Sequence, residues 1–175
     1  MEKVLEQLGA ECIELRQARN LSEPYDALVL PGGESTVQGK LLKELGMFDI
    51  MKSQIENGMP VLATCAGAIL LAETIDGQMK GQPDQYFGTI PMRIRRNAYG
   101  RQLGSFHTEA QVAGIGTVPM TFIRAPYIAS VGNGVEVLAV VEERIVGVKY
   151  KNQVAFSFHP ELDPDVRIHK AFLEM

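Results

Sequence analysis

Pro60-Val61-Leu62-Ala63-Thr64-Cys65-Ala66-Gly67-Ala68-Ile69-Leu70-Leu71-Ala72-Glu73 joins a short apolar run to a helical one through a cysteine. Val61 to Thr64 show no polar alternation and predict a strand covered on both faces. Ala66 to Glu73 predict a helix that starts immediately after it. Cys65 therefore stands at the carboxyl end of a buried strand, in the turn where the chain enters a helix. Such a turn exposes its side chain and leaves nearby N–H groups free, and small neighbours such as Ala63, Ala66 and Gly67 let it close. The positive end of the following helix favours thiolate over thiol. Two readings of Cys65 follow. It is an activated nucleophile, or it is a small apolar residue of the core, where free cysteines commonly lie.

Working outward, the chain upstream alternates helices and strands. Val4, Leu5 and Leu8 share one helical face before a stop at Gly9, and Cys12 to Leu15 predict a short strand with Cys12 in the core. Ala27 to Leu30 form a second buried run that ends at Pro31-Gly32-Gly33. Ser35 or Thr36 is expected to cap a helix carrying Val37, Leu41, Leu42 and Leu45 and ending at Gly46. Another helix runs from Phe48 to Asn57. Downstream the character changes. Residues 87–95, 105–112, 121–123, 135–141, 145–150 and 154–158 are strand-like and closely spaced, which implies antiparallel hairpins. Asp163-Pro164-Asp165 opens a last helix from Val166 that runs to the end. The expected architecture is one α/β domain over residues 1–175, with a mainly parallel sheet and an antiparallel extension.

Composition narrows the function. The chain has 175 residues, 17 Lys+Arg against 21 Asp+Glu for a net charge of −4, and two cysteines. There is no basic surface to suggest nucleic acid and no apolar run long enough to predict a membrane span. Two cysteines make no disulfide framework, and residues 1–10 lack a signal peptide's apolar core. A cytoplasmic protein is expected. Metal-ligand spacing around Cys65 is lacking.

A cysteine nucleophile needs a base, and the base needs an orienting group. Phe158-His159-Pro160-Glu161 offers both at a strand's end, with His159 and Glu161 able to project from one side. A surface histidine beside an acidic loop residue is the plainer alternative. His107, in a strand of mixed polarity, and His169, on the terminal helix, are poorer bases by position. Gly32-Gly33, after a buried strand and before a helix, lets the backbone approach a ligand and present N–H donors, as half of an oxyanion hole or as a plain turn.

Five segments then resemble one family. Leu30-Pro31-Gly32-Gly33-Glu34-Ser35-Thr36, Thr64-Cys65-Ala66-Gly67, the stretch from Arg96 to Gln102, Phe122-Ile123-Arg124-Ala125-Pro126 and Phe158-His159-Pro160-Glu161-Leu162 occur in this order. Together they resemble the glutaminase subunits of pyridoxal 5′-phosphate synthases, which are class I, triad-type glutamine amidotransferases. The resemblance implies a three-layer α/β sandwich that hydrolyses L-glutamine to glutamate and ammonia. It implies Cys65 as nucleophile, His159 as base and then acid, and Glu161 as the group that orients the imidazole. Gly33 and Ala66 are implied as oxyanion donors, and Gly33, Glu34, Ser35, Arg96, Ile123 and Arg124 as glutamine contacts. The implied partner is a synthase subunit that receives the ammonia, with pyridoxal phosphate a product of the complex, so that no cofactor or metal is expected on this chain. A subunit of another triad amidotransferase, such as the one serving histidine biosynthesis, and an inactive binding-only subunit are the alternatives. Two departures from the family pattern stand out. An apolar first strand ending in Leu-Gln-Gly is expected before Met1 but is not in the sequence, and Ala63 occupies the elbow position that is usually Gly, where it is expected to tighten the turn.

Overall fold

All four side chains of Val61–Thr64 (β2) are buried, so this strand needs a layer on each face and a neighbour on each edge. The computed structural model describes residues 1–77, 85–96 and 105–175. In it β2 pairs in parallel with Leu28–Leu30 (β1) on one side and with Gln153–Phe156 (β10) on the other. From β10 the sheet continues antiparallel through Arg144–Tyr150 (β9), Tyr127–Val131 (β7) and Ile90–Arg95 (β4), and ends in Ala72–Asp76 (β3), which is parallel to β4. Ser105–Val112 (β5) forms a hairpin with Gly116–Ile123 (β6) and touches Glu136–Val141 (β8), which pairs with β9. Among the described residues β6 pairs only with β5, and it carries Pro119, a residue suited to an edge strand. The sheet is thus parallel around the cysteine and mixed beyond it, with a larger antiparallel part than an appended extension.

Alternation along β2 sorts the layers. Val61 and Ala63 belong to one apolar cluster, with Leu28, Leu30 and Ala155 from the sheet. Over it pack Phe48, Met51 and Ile55 of Phe48–Glu56 (α3), and Ile69 and Leu70 of Ala66–Leu71 (α4). Leu62 belongs to the other cluster, with Val154, Phe156 and Phe158, covered by Leu5 of Glu2–Gln7 (α1) and by Ile168 and Phe172 of Arg167–Leu173 (α5). Helices on both faces make three layers, in keeping with the α/β class expected from sequence.

Several expectations need correction. Residues 10–16 form no strand. Ile13 is exposed, and the backbone N–H groups of Arg16 and Gln17 donate to the Asn20 side chain rather than to a sheet neighbour. Cys12 is only partly buried, and burial, with Glu6 and Glu2 nearby, pushes its thiol pKa up. The helix Ser35–Glu44 (α2) is capped by Glu34, whose carboxylate accepts from the Thr36 N–H, and not by Ser35 or Thr36. Its buried positions are Ser35 and Gly39, while Val37, Leu41 and Leu45 lie exposed. The helix after Cys65 stops at Leu71, and β3 follows with no intervening loop. Strand β7 was not foreseen, and α5 ends at Leu173, short of the terminus.

Candidate active site

The turn at Cys65 is built by strain and close packing. Cys65 has φ 50° and ψ −104°, a backbone conformation that residues with a side chain seldom adopt and that persists only when its surroundings impose it. They do so here: the Cys65 N–H donates to the Phe156 carbonyl at 2.8 Å, continuing the β2–β10 pairing, and its carbonyl accepts from Ile69 inside α4. A Cβ on Gly67 would lie 2.0 Å from the Leu30 carbonyl oxygen, so only glycine lets α4 settle against the end of β1. Ala63 is fully buried in β2 and has no positive φ, so its methyl group adds no backbone strain to the turn. The Cys65 sulfur lies 3.9 Å from the Ile123 carbonyl oxygen.

The His159 imidazole arrives from beyond the end of β10. The His159 N–H donates to the Thr121 carbonyl of β6 at 2.8 Å, and its ring lies on Gly32, where a Cβ would come within 2.4 Å of the ring carbon Cε1. Nδ1 donates to Glu161 Oε1 at 2.9 Å, since an ionised carboxylate can only accept. That bond leaves Nε2 for the Cys65 sulfur. The imidazole pKa is pushed up to about 9, first by the hydrogen bond with the Cys65 side chain and then by the bond to Glu161, against the opposing effect of burial. For Glu161, burial alone would raise the carboxyl, but the His159 hydrogen bond, a backbone hydrogen bond and the imidazolium charge together hold it below its ordinary value. Both side chains are nearly buried, at 12% and 11% exposure, so solvent screens the pair little.

These shifts predict how stability depends on pH. His159 has a folded pKa above its unfolded one, so its contribution is full below about pH 6.5 and is lost as pH rises through about 9. Glu161 is shifted the other way, so its contribution is present above the ordinary carboxyl range and is lost as pH falls below it. His159→Gln is therefore expected to lower stability by about 1–3 kcal/mol near pH 6, and the gap to wild type should close above pH 9. Thermal denaturation of both proteins from pH 5 to 10 checks this; a gap that is constant across the range would contradict it.

The loop after β1 supplies backbone donors. Gln38 of α2 donates from Nε2 to the Pro31 carbonyl at 3.1 Å and holds the loop in place. Gly33 sits at φ 149°, and its N–H has no partner among the described residues. Ala66 is the first residue of α4, so its N–H has no acceptor within the helix. Ser35 is buried and bound to Arg96, whose Nη2 donates to Ser35 Oγ at 3.0 Å, to Thr36 Oγ1 at 3.1 Å and to the Tyr86 hydroxyl. The guanidinium also lies over the Tyr86 ring. Ile123 is exposed beside Cys65. Arg124 follows at φ 44°, exposed and with no side-chain hydrogen bond or ion pair among the described residues.

The structure thus brings Cys65, His159, Glu161, Gly32 and Ile123 into contact and joins Ser35 to Arg96. Of the Arg96–Gln102 motif, Asn97 to Gln102 lie outside the described residues. The oxygen of Glu34 that caps α2 also accepts from the Thr36 hydroxyl. His107 is drawn to Asp163 at 3.1 Å, and Thr121 donates to the same carboxylate, so His107 clamps the hairpin and does not enter the site. Tyr86 was missed: it lies outside every motif, and only a buried aromatic with a polar tip hinted at a partner. Among the described residues no group of three His, Cys, Asp or Glu could hold a metal ion. No helix among them is long and apolar enough to cross a membrane.

Comparison with known proteins accords with this geometry. The pyridoxal 5′-phosphate synthase subunit PdxT of Desulfitobacterium hafniense strain Y51 is 59% identical over 173 residues, 99% of this chain and 85% of that protein. The subunit of the same name from Streptococcus pneumoniae serotype 2 strain D39 is 51% identical over 176 residues, 99% of this chain and 89% of that protein. A crystal structure of a glutamine amidotransferase superposes with a TM-score of 0.92 at 42% identity, over 99% of this chain and 90% of that one. The likeness reaches family level over every residue from 1 to 175, and the chain belongs to the SNO glutamine amidotransferase family.

Proposed function

We propose that this chain, as a single amidotransferase domain, is the glutaminase subunit of a cytoplasmic pyridoxal 5′-phosphate synthase and passes ammonia to a synthase subunit. The observation that carries the reading is the strained turn at Cys65 facing an imidazole that is itself bonded to Glu161 at 2.9 Å. Cys65 Sγ attacks the side-chain amide carbon of L-glutamine. The resulting oxyanion is met by the N–H groups of Gly33 and Ala66. The C–N bond breaks as His159 gives its proton to the leaving nitrogen, which departs as ammonia. A raised imidazole pKa suits that step, because the ring holds a proton at neutral pH. Water then loses a proton to His159 and cleaves the glutamyl thioester, giving glutamate and the free thiol. Glu161 keeps the ring in the tautomer and orientation that both steps need. Glu34, Ser35, Arg96, Ile123 and Arg124 contact glutamine, with Arg124, which has no side-chain partner among the described residues, a ready partner for its carboxylate.

The test is ammonia release from L-glutamine by this chain alone and together with the synthase subunit of a pyridoxal 5′-phosphate synthase, with a Cys65 variant as control. Release that rises with the partner and vanishes with the thiol is the expected result. Wild type as inactive as the control, with the partner present, would replace this reading with a binding-only subunit.

A further inference from the structure

Tyr86 stands in no motif, yet three helices fix the segment that carries it. The Phe87 N–H donates to the Leu70 carbonyl of α4 at 2.7 Å, and the Phe87 ring stacks on Phe48 of α3 with centroids 4.8 Å apart. A Cβ on Gly39 of α2 would lie 2.1 Å from the Gln85 carbonyl oxygen, so only glycine lets α2 come this close to the segment. Tyr86 itself is 7% exposed and belongs to the apolar cluster of Val61 and Ala63. Its hydroxyl is thereby held in place. It accepts from Arg96 Nη2, and the guanidinium carbon lies 5.5 Å from the ring centroid, within reach of a cation–π contact.

Arg96 is left with capacity to spare. Its Nη2 hydrogens are shared by Ser35 Oγ, Thr36 Oγ1 and the Tyr86 oxygen. Thr36 passes its own proton to Glu34 Oε1 at 3.1 Å, the carboxylate that caps α2. Arg96 Nε is shut off from solvent and has no partner among the described residues. The three groups that hold the guanidinium are all neutral, and among the described residues no carboxylate pairs with it, so its charge stays available to a ligand. We propose that Tyr86 is a positioning residue of the glutamine site: it holds the Arg96 guanidinium against the first turn of α2, with Nε free to meet an oxygen of glutamine. Ser35 and Thr36 hold Arg96 from α2 alone. Tyr86 ties it to α3 and α4 as well, through the neighbouring Phe87. Because Tyr86 acts through Arg96 and not on Cys65 or His159, its effect falls on binding and not on the chemical steps. The proposal rests on the glutaminase reading above.

The test measures ammonia release by the complex with the synthase subunit. Tyr86→Phe keeps the ring and removes the hydroxyl. KM for glutamine should rise about tenfold, the scale of one lost hydrogen bond to a charged group, with kcat within about twofold of wild type. A merely structural role would instead lower kcat through the folded fraction and leave KM alone. Arg96→Met should raise KM further, and adding Tyr86→Phe to it should bring no additional loss, because the hydroxyl acts only through the guanidinium. Gly39→Ala, which parts α2 from the Tyr86 segment, should raise KM as well, and Tyr86→Phe should add less than its own factor to it. A KM within about twofold of wild type in Tyr86→Phe, or losses that multiply when it is joined to Arg96→Met, would overturn the proposal. Should Arg96→Met not fold, Gly39→Ala takes its place in the cycle and multiplying losses overturn the proposal there. Thermal denaturation without glutamine gives a readout independent of activity. Tyr86→Phe should lower the midpoint in the wild-type background but not in Arg96→Met, where the buried hydroxyl has already lost its partner. An equal drop in both backgrounds would overturn the proposal. A wild type that releases no ammonia would overturn the glutaminase reading instead, and the denaturation series would still decide whether Tyr86 holds Arg96.

Discussion

Of two variants that remove the Cys65 thiol, Cys65→Gly is expected to be the more stable, and neither is expected to release ammonia from glutamine. At ordinary positions alanine is favoured over glycine, because glycine loses more backbone freedom on folding. Cys65 is different: at φ 50° and ψ −104° any Cβ is strained. Such strain costs on the order of 1–3 kcal/mol and is retained by alanine but released by glycine. The usual ranking should therefore reverse, with the glycine variant more stable than the alanine one by about 1 kcal/mol after glycine's entropic cost is subtracted. Both variants lose the attacking atom, so turnover should fall by about 10⁴-fold or more. Denaturant unfolding of the two proteins and a coupled ammonia assay check the two halves separately. An alanine variant equal to or more stable than the glycine one would show that the turn is not strained.

Gly32→Ala is expected to reduce kcat by about 10²-fold with little change in KM, although Gly32 bears no catalytic group. Gly32 has no positive φ, so the added methyl group costs nothing in the backbone and acts only through what it touches. It would lie 2.4 Å from Cε1 and 3.1 Å from Nδ1 of His159, and relieving that overlap requires the ring to shift by about 1 Å. The shift pulls Nδ1 away from Glu161 Oε1, now at 2.9 Å, and turns Nε2 off the sulfur. Steady-state kinetics of the complex give the result; a kcat within about threefold of wild type would mean that the loop yields and the ring does not.

Much of the site was legible because its chemistry is local. The uninterrupted run Val61 to Thr64, the small residues around Cys65 and the histidine two residues before Glu161 each state a constraint that neighbouring residues alone can satisfy. Elements that depend on distant neighbours were not legible. Cys12 to Leu15 has strand-like composition, but a strand exists only where another backbone pairs with it, and the chain just beyond, at Arg16 and Gln17, turns its N–H groups to the Asn20 side chain instead. The border between α4 and β3 falls inside the apolar stretch Ile69 to Ala72, where periodicity is the same for a buried helix and a buried strand. Strand β7 follows Ala125-Pro126, which reads as a breaker. The stripe Val37, Leu41 and Leu45 has the spacing of a core-facing helix, yet α2 packs through Ser35 and Gly39. The Tyr86–Arg96–Ser35 contact joins three parts of the chain that no local pattern links.

The hairpin of β5 and β6 has a consequence for timing. Strand β6 meets both halves of the proposed catalytic pair, receiving the His159 N–H at the Thr121 carbonyl and facing the Cys65 sulfur with the Ile123 carbonyl. It acts as a gauge for their separation, but among the described residues its ladder is with β5 alone. The interval over which the pair stays in register is then governed by local opening of an edge hairpin, which needs less free energy than unfolding the sheet. Amide exchange at His159 should keep pace with the β6 ladder, while the amides of β2 exchange far more slowly.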